Sequence, residues 1–278
     1  MGKLTNFFRR VGPLEEAEAP QNNKNAIYGA PAIDTDLLPY VEISKIDQRI
    51  MVYHKPDSIV AENFKILRSN ILHPRTGLPS KFVMVASAIP GEGKTFVSLN
   101  LAFSFARSVS TVLVESDLRN PSFSTWLECS FAEGISDALL EKVSIKDIIY
   151  KTNFPNLYLI PAGFTIEEAS DAFASERLVI FLDQLRQYFP KSFVIFDSSP
   201  VLVASEPIYL SRLVDGVLMV ARYGYSDRDG INDAVEKIGR SKILGLVFNG
   251  FNISSLNIIS SRFKYYHLSK KYYRKNGS

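Results

Sequence analysis

The chain has 278 residues, 46% of them apolar, and a formal net charge of +3. That size and composition suit one large α/β domain with an appendage and leave a tight fit for two full-sized domains, and so small a charge gives no reason by itself to expect a nucleic-acid partner. Cys129 is the single cysteine, which excludes an intramolecular disulfide and a thiolate-rich metal site and suits a reducing cytosol.

Residues 1–45 carry EEAEAP, QNNKN and several prolines without helix or strand periodicity, and are expected to form a flexible lead-in. Its start, MGKLTNFFRR, lacks the apolar segment of a secretory signal, and no run anywhere approaches the roughly 18 residues of a membrane span, so a soluble chain is expected. From Asp57, the segment DSIVAENFKILRSNIL spaces Val60, Phe64, Leu67 and Ile71 by four, three and four residues, the apolar stripe of a helix. Glu62, Lys65 and Arg68 follow at steps of three on another face, where a solvated charged surface is the plain reading. Six short apolar runs come next, at 81–88, 111–116, 156–163, 192–199, 216–223 and 243–250. They are continuous rather than alternating, as strands buried on both faces of a parallel sheet are. Helical stretches such as GKTFVSLNLAFSFARS and SERLVIFLDQLRQYF lie between them. The alternation predicts a doubly wound, mostly parallel α/β domain over 46–252, with ligands at the carboxyl ends of the strands, followed by a flexible tail over 253–278.

AIPGEGKTF, residues 88–96, separates the first run from a helix and fits the pattern Ala/Gly, any four residues, Gly-Lys-Ser/Thr. Gly91 and Gly93 let the backbone amides turn inward, the helix adds its positive end, Lys94 supplies a charge for terminal phosphates, and Thr95 offers a hydroxyl to Mg²⁺. Pro90, Gly91, Glu92, Gly93, Lys94, Thr95 and Phe96 are therefore the candidate nucleotide-binding residues. Bound Mg²⁺ also calls for oxygen ligands opposite the loop. Glu115 and Asp117 end one apolar run and Asp197 ends another, although N-cap and turn roles are common just after strands.

The order and wording of these segments resemble the bacterial tyrosine kinases, P-loop autokinases of capsule and exopolysaccharide systems. The family's Pro-Gly-Glu-Gly-Lys core matches Pro90 to Lys94, and its carboxylate pair before Leu-Arg-x-Pro is similar to ESDLRNP. Its apolar strand ending in Asp and leading to a Pro is similar to residues 194–202, where Asp197 ends the run and Pro200 follows. NLYLIPAG, LVDGVLMVAR and LGLVFNGF also stand where the family has comparable sequences, so the likeness spans residues 57–252. It implies a P-loop NTPase of MinD/ParA-like architecture that uses ATP and Mg²⁺, with Asp117 and Asp197 organising the metal and Asn249 reading the adenine. Glu115 stands where the family has Asp, at the position that activates the attacking hydroxyl or organises the Mg²⁺ shell. Glu62, Lys65 and Arg68 stand where the family's Glu-Arg-Arg stripe pairs neighbours in a ring, so a homo-oligomeric octamer is implied. The resemblance also implies a separate membrane polysaccharide co-polymerase as activator, a cognate tyrosine phosphatase, and a cytoplasmic location held at the inner face of the membrane through that partner.

From Ile253 onward there is no acidic residue, while Arg262, Lys264, Lys270, Lys271, Arg274 and Lys275 are basic. A basic tail with Tyr265, Tyr266, Tyr272 and Tyr273 suits anionic lipid, RNA or plain solvent; the resemblance makes these tyrosines the phosphoacceptors offered to a neighbouring subunit. The implied reaction is γ-phosphoryl transfer from ATP to tyrosine, with the loop amides, Lys94 and Mg²⁺ stabilising charge and Glu115 or Asp117 orienting or deprotonating the phenol. Two other functions fit the same loop: a switch ATPase of the MinD/ParA type, whose signature lysine would stand at Ile89, and a nucleotide-binding scaffold of a polysaccharide export complex without turnover.

Overall fold

The computed structural model describes residues 29–75, 77–163, 171 and 173–250; the tail tyrosines Tyr265, Tyr266, Tyr272 and Tyr273 lie outside the described residues. Eight strands form one sheet: β1 (Tyr40–Val41), β2 (Phe82–Ser87), β3 (Thr111–Ser116), β4 (Tyr150–Thr152), β5 (Leu157–Ile160), β6 (Phe193–Ser198), β7 (Gly216–Arg222) and β8 (Ile243–Asn249). Their order is β1-β4-β5-β3-β6-β2-β7-β8. Neighbours run parallel except β4 and β5. Among the described residues the α-helices are α1 (Met51–His54), α2 (Ile59–Leu72), α3 (Lys94–Ala106), α4 (Phe123–Leu127), α5 (Ile135–Leu139), α6 (Glu176–Tyr188), α7 (Glu206–Leu213) and α8 (Arg228–Ile238).

Every residue of the central strands β2, β3 and β6 is buried, which is why their sequences do not alternate. One face of the sheet packs Met84, Val114, Phe196 and Met219 against α5 to α8, through residues such as Leu182, Leu185, Leu210 and Ala234. The other packs Val83, Val85, Leu113 and Ile195 against α1 to α4, through Val52, Phe64, Leu101, Phe105 and Trp126. The Phe105 and Phe193 rings stack with centroids 3.8 Å apart, fixing the far end of α3 to the sheet. Because α3 is enclosed on all sides, its polar Asn100 needs internal partners. It accepts the Val52 amide at 3.1 Å and donates to the carbonyls of Arg49 and Phe96. On α2, Phe64 and Ile71 are buried, whereas Val60 and Leu67 are half-buried at the margin of the stripe.

Two features differ from the sequence reading. Residues 29–45, expected to be flexible, pack on the domain: Leu38, Val41 and Ile43 are buried, and the amides of Gly29 and Ala32 donate to the carbonyls of Lys191 and Tyr188 at 2.7 and 2.8 Å. The edge strand β1 and its neighbour β4 have only two and three residues, too few for any hydrophobic period to register. Among the described residues no helix is long and apolar enough to cross a membrane.

Candidate active site

The loop between β2 and α3 turns on two glycines in left-handed conformation, Gly91 at φ +79° and Gly93 at φ +99°. A Cβ at Gly93 would stand 2.0 Å from Asn249 Nδ2, so conformation and space both require glycine there. That Asn249 amide donates to the Glu92 carbonyl at 2.9 Å, tying the end of β8 to the loop. No side chain caps α3, so its first amides are available to an anion. Lys94 opens the helix and is only 7% exposed. Burial lowers its amine from the ordinary value, against the opposing pull of Asp197, Asp117 and Glu92. A glycine cradle, uncapped amides and a buried lysine form a fitting receptor for a nucleotide's phosphates.

Asp197, at 1% exposure, faces the loop from β6. It accepts the Thr95 hydroxyl at 2.7 Å and the Ser98 hydroxyl at 2.9 Å. Burial still raises its carboxyl to about 6, against those bonds and Lys94, with Asp117 pushing further upward. Asp117, half-buried just beyond β3, accepts the Ser199 hydroxyl at 2.9 Å and the Asn120 amide at 3.2 Å. Lys94, Thr95, Asp117 and Asp197 thus converge on one mouth. Among the described residues no group of three or more His, Cys, Asp or Glu could hold a metal alone. The donors fit Mg²⁺ in the way a phosphate loop does, through the Thr95 hydroxyl and a facing carboxylate, with the remaining oxygens coming from the nucleotide.

Glu115 is placed differently from its neighbours. The β3/β6 register sets it beside Asp197, yet its carboxyl is engaged by backbone. One oxygen accepts the amides of Ser122 and, at 2.8 Å, Phe123; the other accepts the Ala162 amide at 3.2 Å. Burial is the largest influence on this carboxyl and raises it to about 7 despite the three amides. Glu115 therefore fastens the start of α4 and the end of β5 to the active-site edge of the sheet. Four further residues of the site escaped the sequence reading. Ser98 stands one turn beyond Lys94 on the same helix face, a spacing that signals it, and Ser199 lies two positions after Asp197. Ser226 and Arg222 carry no local signal.

On α2, Glu62 and Lys65 pair with each other at 3.1 Å near the surface. Arg68 turns instead to α3 and donates to the Ser104 carbonyl. Burial lowers its guanidinium from the ordinary value, with Arg107 adding to the effect.

A mostly parallel sheet with a phosphate loop after β2 and carboxylates at the ends of β3 and β6 defines a P-loop NTPase. Residues 80–243, more than half of the chain, match the family described as AAA domain, and the chain belongs to that family. Tyrosine-protein kinase YwqD of Bacillus subtilis (strain 168) is 27% identical over 214 residues, covering 76% of this chain and 90% of that protein. Succinoglycan biosynthesis transport protein ExoP of Rhizobium meliloti (strain 1021) is 26% identical over 254 residues, 88% of this chain and 31% of that protein. Among solved structures, the chimerical protein CapA2B2 matches at 27% identity with a TM-score of 0.67, covering 77% of this chain and 95% of that one. The septum site-determining protein MinD of Pyrococcus horikoshii OT3, complexed with Mg-ADP, shares the fold at a TM-score of 0.52 and 20% identity, over 60% of this chain and 68% of that one.

Proposed function

We propose that the chain is an ATP-dependent protein-tyrosine autokinase that regulates capsule or exopolysaccharide synthesis, with Tyr265, Tyr266, Tyr272 and Tyr273 as its acceptors. The observation that carries this reading is the convergence of Lys94, Thr95, Asp117 and Asp197 on one phosphate loop, in a chain similar to proteins named tyrosine kinases. The similarity to a succinoglycan transport protein supports the polysaccharide setting.

ATP bound in the loop would supply the γ-phosphoryl group, and a bound Mg²⁺ would supply charge shielding there. The α3 amides, the loop and Lys94 hold the phosphates and stabilise the charge that moves onto the leaving ADP oxygen. Thr95 and Asp197 would hold the metal. Asp117, the least buried of the three carboxylates, orients the tyrosine hydroxyl; a phenol with a pKa near 10 releases its proton late, as its oxygen bonds to phosphorus, and Asp117 receives it. Glu115 supports this arrangement from behind, through the backbone it holds. Asn249 stands beside the loop where it can meet the adenine.

Four phosphates at about −1.5 to −2 charges each would move the tail from +6 to between about 0 and −2. Added beside Asp117 and Asp197, that charge loosens a tail held in a neighbour's site, so an octameric ring built through Glu62 and Lys65 opens on phosphorylation and a cognate phosphatase resets it. A separate membrane co-polymerase holds the chain at the inner face of the membrane. Intact-mass and peptide mass spectrometry after incubation with Mg-ATP, beside Lys94→Ala, tests the central claim: phosphate on the four tail tyrosines, absent from the variant. Bound ATP without phosphotyrosine, in the presence of the partner's cytosolic segment, would mark a switch ATPase or a scaffold instead.

A further inference from the structure

Glu92 is the one residue of the phosphate loop with an acidic side chain, in a place where phosphates are to be held, and it is 0% exposed. Its carboxyl group reaches in two directions. One oxygen accepts the Ile89 amide at 2.9 Å, closing the loop on itself. The other accepts the hydroxyl of Ser226, 134 positions away in the turn between β7 and α8. Ser226 Oγ in turn accepts the Arg222 amide at 2.7 Å, which fixes the hydroxyl toward Glu92.

Two more bonds reach the loop from the same side. The Arg222 guanidinium donates to the Gly91 carbonyl at 3.2 Å, and the Asn249 amide donates to the Glu92 carbonyl at 2.9 Å. A loop that cradles phosphate must turn its amides inward and therefore its carbonyls outward. Arg222 and Asn249 receive two of those outward carbonyls, and the Ser226–Glu92 contact fixes the side chain between them. Two glycines at positive φ make the free loop costly to order. A loop ordered in advance does not draw that entropy from nucleotide binding.

We propose that Ser226 and Glu92 form a clip that holds the phosphate loop in its receiving conformation, making Ser226 a positioning residue for the nucleotide. The inference rests on the reading of this site as nucleotide-binding. Its test compares the full chain with Ser226→Ala and Ser226→Thr, with Lys94→Ala as the reference for a disabled loop. Three quantities are measured: the Kd of a fluorescent ATP analogue, the ATP dependence of autophosphorylation, and amide hydrogen exchange over residues 88–93 without nucleotide. Ser226→Ala is expected to weaken analogue binding and raise KM for ATP about five- to tenfold, the effect of losing one net hydrogen bond, with kcat within about twofold. Exchange at Ile89 accelerates, and threonine, which keeps the hydroxyl, restores both. Unchanged Kd and unchanged exchange in Ser226→Ala overturn the clip, as does a failure of threonine to restore them. Absence of analogue binding by the wild type refutes the nucleotide reading separately, and the nucleotide-free exchange still decides whether the clip exists.

Discussion

Glu115→Gln separates a fastening role for Glu115 from a chemical one, and its effect can be worked out from the site. In the folded chain burial raises the Glu115 carboxyl from its ordinary 4.5 to about 7. Between those values the folded protein keeps a proton that the unfolded chain has released, so stability falls as pH rises through the window and levels off above it. The interval, at about 1.4 kcal/mol per pH unit, corresponds to roughly 3 kcal/mol. Glutamine cannot titrate, so the variant should lose that slope. Its amide nitrogen would face a donor, most simply the Ala162 amide now held at 3.2 Å, at a cost of about 1 kcal/mol. The two stability curves should therefore cross: the variant is weaker by about 1 kcal/mol near pH 5 and stronger by about 2 kcal/mol near pH 8. Urea unfolding of metal-free, nucleotide-free protein across that range measures this directly. Asp197 titrates in both proteins, so the difference between the curves reports Glu115 together with its charge coupling to Asp197. Parallel curves would refute the reasoning, since they would mean that the Glu115 carboxyl holds no more protons in the folded state than in the unfolded one.

Gly93→Ala sets a Cβ 2.0 Å from Asn249 Nδ2 at φ +99°, so calorimetry should record a loss of about 1–3 kcal/mol together with lost nucleotide binding; a wild-type melting temperature would contradict the geometry. Asp117→Asn should lower kcat by about a hundredfold, with KM for ATP within about threefold, if the carboxylate receives the phenol proton. A rise in KM at constant kcat would place Asp117 on the metal and nucleotide instead. Glu62→Lys, which sets like charges beside Lys65, should reduce the mass found by light scattering from that of an oligomer to that of one chain, and an unchanged mass would remove this stripe from the interface.

The parts of the molecule legible in the sequence are those whose physics is local. β2, β3 and β6 are buried on both faces, so each declares itself as a continuous apolar run without reference to its neighbours. The phosphate loop is equally local: two glycines, a lysine and a threonine within five positions, between a strand and a helix. Residues whose roles depend on a distant partner could not be read in this way. Arg68 keeps perfect spacing with Glu62 and Lys65, yet its guanidinium goes to a carbonyl on α3, 36 positions away. Glu115 has the spacing of a strand-end active-site carboxylate, and only the fold brings three backbone amides from two other segments to its oxygens. The same limit hid Ser226, whose hydroxyl acquires its meaning from a carboxyl group 134 positions earlier. At strand ends around a phosphate loop, side-chain identity therefore selects the candidates, and the direction of each hydrogen bond decides which of them face the chemistry and which hold the frame. Here that criterion turns Asp117 and Asp197 toward the mouth of the loop and Glu115 toward the backbone behind it.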